Sequence, residues 1–244
     1  MRNLKLFALL CALVLLVCSC RINEKEGYSF EEMTQTLEAA VAEGHFFFAG
    51  KVLSVGTNDR MISYYEMEAE TNTVYQVEVT EDFFGCMPKE PITVCIYGTT
   101  GNFSSRSNLE KGKEYLFDTT LWVQGEEIIF LLPSFYEGMP ERAEEALYYT
   151  AGGKTALVNG TYVQYKEHLF SLAEEKGYGP QLVKSSITAF LEQAVKNDAA
   201  FFEGLGFTKI DTAHLAATTA KAALLLEQVQ NSAADWAALR EILK

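Results

Sequence analysis

The chain has 244 residues, 48% of them apolar and 22% charged, enough to bury a sizeable core without disulfide or metal staples. Its formal charge is −13 and no basic run interrupts the acidic balance, which argues against nucleic acid or another polyanion as a partner.

The first residues have the layout of a secretion signal. Arg2 and Lys5 give a positive start, twelve apolar residues run from Leu6 to Val17, and small Ser19 precedes Cys20. Twelve helical residues rise about 18 Å, short of a hydrocarbon core of about 30 Å, so the run predicts a signal region and not a stable span. The string Val17-Cys18-Ser19-Cys20 resembles the lipobox of bacterial lipoproteins. That resemblance implies removal of residues 1–19 and a thioether-linked diacylglycerol on Cys20, with acyl chains such as palmitate holding the protein to the outer face of the cell membrane. Loss of Arg2 and Lys5 with the signal takes the charge to −15. The alternative is an ordinary secretory leader cut elsewhere; Val17 is a poor residue to precede a cut ahead of Cys18.

Two cysteines then remain in the body, Cys86 and Cys95. Oxidising surroundings permit a single bridge between them, and a strand position equally suits a buried, unreactive thiol. Their spacing is not a zinc signature, and no metal or other cofactor is expected.

Residues 20–28 form a short polar tether. Ser29 and Glu32 then make an S-x-x-E capping box, Tyr28 and Met33 are placed for a hydrophobic staple, and Leu37, Ala40 and Val41 continue a helical stripe to Gly44. Strands are predicted at His45–Gly56, Met61–Glu70, Thr73–Val79 and through Pro91–Gly98, from alternation such as Tyr75, Val77, Val79 and Ile92, Val94, Ile96. Lys113–Val123 and Glu126–Pro133 read as a final hairpin turning at Gln124-Gly125. Five or six antiparallel strands with no room for helical crossovers predict a small OB-like β-barrel over residues 29–138, preceded by the one helix.

The motifs Phe48-Ala49-Gly50-Lys51-Val52, Tyr75-Gln76-Val77-Glu78-Val79 with Phe83-Phe84-Gly85, Ile92-Thr93-Val94 and Leu109-x-x-Gly112-x-x-Tyr115-Leu116-Phe117 resemble the netrin-like module. This is the OB-fold of the tissue inhibitors of metalloproteinases and their bacterial relatives. In those inhibitors the first cysteine of a C-x-C start chelates the zinc of the target, a role that would fall on Cys18. The sequence departs from that pattern: the usual partner cysteines are missing from Asn102–Leu109 and Leu131–Tyr136, and cleavage before Cys20 removes Cys18.

From Met139 to Lys244 the spacing reads as helical, with stripes at Tyr162, Tyr165, Leu169, Leu172, at Val183, Ile187, Phe190, Ala194, and at Leu215, Thr219, Ala222, Leu226, Val229. Asp211 and Ser232 are candidate caps. The expectation is an α+β protein with a C-terminal helical bundle over residues 139–244.

Chemical motifs are sparse. Ala151-Gly152-Gly153-Lys154-Thr155 ends like a phosphate loop but has Tyr148 where that motif needs glycine, and His45, His168 and His214 fall on separate elements. Glu66, Glu68 and Glu70 read as outward carboxylates that keep a strand edge from pairing. The reading is therefore a membrane-anchored, non-enzymatic binding module for a protein or cell-envelope partner, with the Gly98–Gly112 loop as its candidate surface. The rival readings are a netrin-like protease inhibitor using an amino-terminal cysteine and an envelope hydrolase.

Overall fold

In a computed structural model, residues 27–58, 72–96, 109–132, 138–151, 154–204 and 211–244 are described. Their strands are β1 (Gly27–Ser29), β2 (Phe46–Asn58), β3 (Asn72–Asp82), β4 (Ile92–Ile96), β5 (Glu114–Gln124), β6 (Glu127–Leu131), β7 (Gly138–Ala143), β8 (Ala146–Ala151) and β9 (Lys154–Thr161). The helices are α1 (Phe30–Thr34), α2 (Leu37–Glu43), α3 (Tyr162–Lys176), α4 (Pro180–Lys196), α5 (Ala199–Gly204), α6 (Thr212–Asn231) and α7 (Trp236–Ile242).

The start of the chain folds as its local chemistry dictates. Ser29 accepts from the Glu32 amide and Glu32 reaches back to the Ser29 amide, closing the capping box of α1. Gly44 ends α2 with φ 75°, a left-handed conformation that a side chain disfavours, and its amide returns to the carbonyls of Ala40 and Val41.

Strand β2 organises the body because both of its faces are buried. Successive side chains of a strand point to opposite sides, so His-Phe-Phe-Phe-Ala supplies two cores at once. Phe46, Phe48 and Val52 enter one core with Tyr75, Val77, Tyr115, Phe117 and Leu121, where Phe48 and Phe117 stack at 4.9 Å. Phe47 and Ala49 enter the other with Leu116, Leu147, Tyr149 and Val158, under α1, α2 and α3. Helices α4, α6 and α7 complete the first core with Val183, Ile187, Leu191, Ala222, Leu225, Val229 and Leu239. Trp122 of β5 meets Phe190 of α4 at 5.6 Å, and the Gly125 amide in the β5–β6 turn donates to Thr218 of α6 at 2.8 Å.

The sequence-based expectation of a free-standing OB-like barrel followed by helices is corrected by the sheet. Nine strands form one mixed sheet in the order β1-β9-β8-β7-β5-β2-β3-β4-β6. The second half of β5 pairs with β6 (Thr120–Gln124), while its first residues, Glu114 and Tyr115, pair with β7 on the same edge. The expected barrel strands are thus the curled half of a longer sheet that continues into β7, β8 and β9. Those three strands occupy residues assigned above to helices, and the helical region begins only at Tyr162. The physical reason lies in β8: Leu147 and Tyr149 are buried while Tyr148 and Thr150 are part-exposed, a period of two that a short alanine-containing stretch disguises. The expected strand at Met61–Glu70 lies outside the described residues.

The β7–β8 turn carries a local strain. Glu144 sits at φ 56°, the one described non-glycine residue with positive φ. Glu144→Gly should raise stability by up to about 1 kcal/mol in urea unfolding, since glycine takes this conformation without the Cβ penalty.

Candidate functional site

The described residues hold one deeply buried group of ionisable side chains, at the meeting point of α2, β2, β5 and α4. His45 follows the Gly44 cap, and its backbone amide donates to the Ala40 carbonyl at 3.1 Å. It shares a face with Phe47, and Asp118 shares a face with Leu116, because Phe47 lies opposite Asp118 in the β2–β5 register. The two polar side chains therefore meet inside the second core. His45 Nδ1 lies 2.5 Å from Asp118 Oδ1, and His45 Nε2 lies 3.2 Å from Glu43 Oε2. The His45 and Asp118 side chains are only 9% and 6% exposed, whereas Glu43 is 69% exposed.

This geometry specifies a protonation state. A carboxylate only accepts, so an imidazole with a carboxylate on each nitrogen must donate from both and carries a positive charge. Burial opposes the cation, but the hydrogen bond and charge of Asp118, followed by those of Glu43, outweigh it and hold His45 above the ordinary histidine range. Asp118 itself is pushed up by burial against the pull of the His45 cation. The carboxyl ends of α2 add a favourable dipole for the cation.

Backbone hydrogen bonds lock the same turn from the helical side. Tyr178 Oη, in the α3–α4 connection, donates to the His45 carbonyl at 2.6 Å, and Ser186 Oγ of α4 donates to the Glu43 carbonyl at 2.8 Å. Burial raises the Tyr178 phenol far above its usual range, so it stays a neutral donor. Carboxylates thus engage both ring nitrogens of His45. Its chemistry here is a charged clamp joining the end of α2 to β5.

A second polar group lies where β3, β5 and β7 meet the start of α3. Glu81 receives Lys166 Nζ at 2.5 Å and the Tyr162 hydroxyl, while Arg142 bridges to Glu114 at 3.3 Å and stacks its guanidinium 3.7 Å over the Tyr162 ring. Burial works to raise the Glu81 carboxyl, yet the Lys166 and Tyr162 hydrogen bonds and the nearby cations bring it below the usual glutamate range. Each cation in this group already faces a carboxylate.

The residues singled out in the sequence are dispersed. Cys20 lies outside the described residues, as do Glu66, Glu68, Glu70 and the Gly98–Asn108 part of the candidate loop. The loop's described end is pinned: Leu109 is buried, the Glu110 amide donates to Tyr115 Oη at 2.9 Å and the Gly112 amide to the Val52 carbonyl at 2.8 Å. Cys86 and Cys95 are both buried and not bridged to each other, Cys86 in the first core and Cys95 in a small cluster with Ile129. Burial pushes the Cys95 thiol up to about 12 and the Cys86 thiol higher still, so both are protonated. His168 lies edge-on to Phe30 at 5.6 Å, and His214 sits beside Gly125. No group of three or more potential metal ligands occurs among the described residues.

The chain was set against protein-family models, curated proteins and solved structures. It matches none of them. The netrin-like resemblance therefore rests on the short motifs quoted above, and the clamp at His45 went unnoticed in the sequence because its members lie 73 residues apart. Its only local signal is an isolated histidine and an isolated aspartate within runs that are otherwise apolar, His45 before Phe46-Phe47-Phe48 and Asp118 after Tyr115-Leu116-Phe117.

Proposed function

We propose that this protein is a lipid-anchored module on the outer face of a bacterial membrane, which binds a protein or cell-envelope component without catalysing a reaction on it. The observation that carries the reading is the apolar run Leu6–Val17 ending in Val17-Cys18-Ser19-Cys20. Two features of the body agree with it. The first described element, β1, lies at the edge of the sheet, where a chain arriving from a membrane meets no other strand. The buried imidazole is saturated with carboxylates, which suits a rigid scaffold better than proton transfer.

Mass spectrometry of the amino-terminal peptide from the membrane fraction tests the anchor. The expected peptide begins at Cys20 and carries a diacylglycerol mass, and Cys20→Ala should release the body from membranes without a change in thermal stability. An unmodified peptide beginning at any other residue would overturn the reading.

A further inference from the structure

The edge of the sheet that receives the anchor is unusual in its charge. In a chain of which 22% is charged, the stretches Gly27–Phe30, Ala146–Thr150 and Thr155–Tyr165 contain no charged residue. They are β1, β8 and β9 with the first turn of α3, and they lie side by side, since β1 pairs with β9 and β9 with β8. Register divides their side chains between two faces. Tyr149 and Val158 point into the second core, while Tyr148 and Leu157, directly opposite one another, point away from it beside the hydrogen-bonded pair Thr150 and Thr155. Leu157 is 52% exposed.

Acidic residues border one end of this patch, and Lys154 opens β9 at the other. Glu144 and Glu145 form the β7–β8 turn next to Thr161, and Glu31 and Glu32 follow β1 in the direction of that same end. Gly27 lies level with Leu157, in the middle of β9. The strand contact is close there: a Cβ on Gly27 would collide with the Leu157 carbonyl, so β1 is seated tightly on β9. Seven residue steps separate Cys20 from Gly27, a reach of at most about 25 Å. A bilayer holding acyl chains on Cys20 is thus within reach of this edge.

We infer that the uncharged β1–β9–β8 edge, with Leu157 and Tyr148 at its centre, rests on the lipid surface that carries the anchor. The inference rests on the lipid-anchored reading above. An acidic body tethered this closely is repelled wherever its carboxylates approach anionic headgroups, and turning the charge-free edge inward lowers that repulsion. Tyrosine and leucine at the contact suit the boundary between headgroups and acyl chains.

Spin labels test it on full-length protein lipidated in a bacterial host and reconstituted into vesicles of phosphatidylcholine with anionic phosphatidylglycerol. Leu157→Cys and Thr155→Cys place labels on the edge, and Leu224→Cys places one on α6, 51% exposed and beyond β5, with four strand spacings of about 19 Å in total between β5 and β1. Cys86 and Cys95 are buried and protonated, so they stay unlabelled in the folded protein. The expected result is a several-fold rise in the ratio of oxygen to nickel-chelate collisions at positions 157 and 155 on reconstitution, with position 224 unchanged. Equal ratios at all three positions, on protein whose Cys20 lipid is verified by mass, would overturn the inference and leave the anchor intact. Spin–spin broadening at position 157 in detergent would assign the edge to a second copy of the chain and overturn it also. Absence of lipid on Cys20 removes both readings together.

Discussion

Asp118→Ala should destabilise the protein by about 3–5 kcal/mol, the usual cost of leaving one partner of a buried ion pair without the other. The imidazolium of His45 would keep Glu43, which is largely exposed and screened, and lose the buried carboxylate at 2.5 Å. Asp118→Asn should cost less, because an amide oxygen still accepts from Nδ1. Replacing both partners, His45→Leu with Asp118→Leu, should recover part of the loss, since Phe47, Leu116 and Tyr165 belong to the apolar core on this side of the sheet. The pH dependence has a definite sign. His45 binds its proton more tightly in the folded state than an ordinary histidine, which titrates near 6.5, so its stabilisation is complete below about 6.5 and is lost as pH rises through the folded value. The upward shift of Asp118 acts in the same direction, with the folded state again binding more protons. The groups facing the pair are Glu43 from α2, Tyr165 from α3 and Tyr178 from the α3–α4 connection, and both phenols are held far above their usual range by burial. Urea unfolding of the wild type should therefore show stability falling as pH rises above about 6.5. In His45→Gln that fall should be absent, and a slope that persists in this variant would assign it to other groups.

What the sequence disclosed follows from how local its determinants are. The capping box at Ser29 and Glu32, the stop at Gly44 and the cap at Asp211 depend on residues within four positions of each other, and all three form as expected. The buried stripe Tyr162, Tyr165, Leu169, Leu172 was equally visible because α3 is long and amphipathic. Strands β2, β3, β4, β5 and β6 were found to within a few residues from alternation and from the run of phenylalanines. The failures needed information from elsewhere in the chain. β7 contains Pro140 and β8 begins with alanine, so neither resembles a strand until β5 offers the free edge of Glu114 and Tyr115 to pair with. β1 is only three residues long and is a strand because β9 lies beside it. The helix expected to run from Ser29 to Gly44 is broken at Gln35 and Thr36, and Ser232 closes α6, where Asp235 is the cap that starts α7. The His45–Asp118 clamp is the extreme case, since it exists only once β2 and β5 have paired.

Leu239→Ala should lower stability by about 2–5 kcal/mol, the range for truncating a fully buried leucine. The size of that effect decides whether the C-terminal helices are an appended bundle or a wall of the body. Leu239 is fully buried, and it shares a core with Phe46, Phe48 and Phe117 of the sheet. Its neighbour Arg240 reaches back to the carbonyl of Gly85, just past β3, and Trp236 lies 5.9 Å from both Phe84 and Tyr178. Helix α7 is thus fastened to the segment after β3 and to the α3–α4 connection that also holds His45. If the body is one cooperative unit, Leu239→Ala should lower the melting temperature by about 2–4 °C for each kcal/mol lost. It should do so in a single transition, seen alike by far-ultraviolet circular dichroism and by tryptophan fluorescence, to which Trp122 at the β5–α4 contact and Trp236 on α7 both contribute. An appended bundle would instead melt early, with the fluorescence change preceding the loss of sheet signal. The wall arrangement also explains the alanines of α6: Ala222 is fully buried where α6 packs against α4, a position at which a larger side chain would push the helices apart and open the first core.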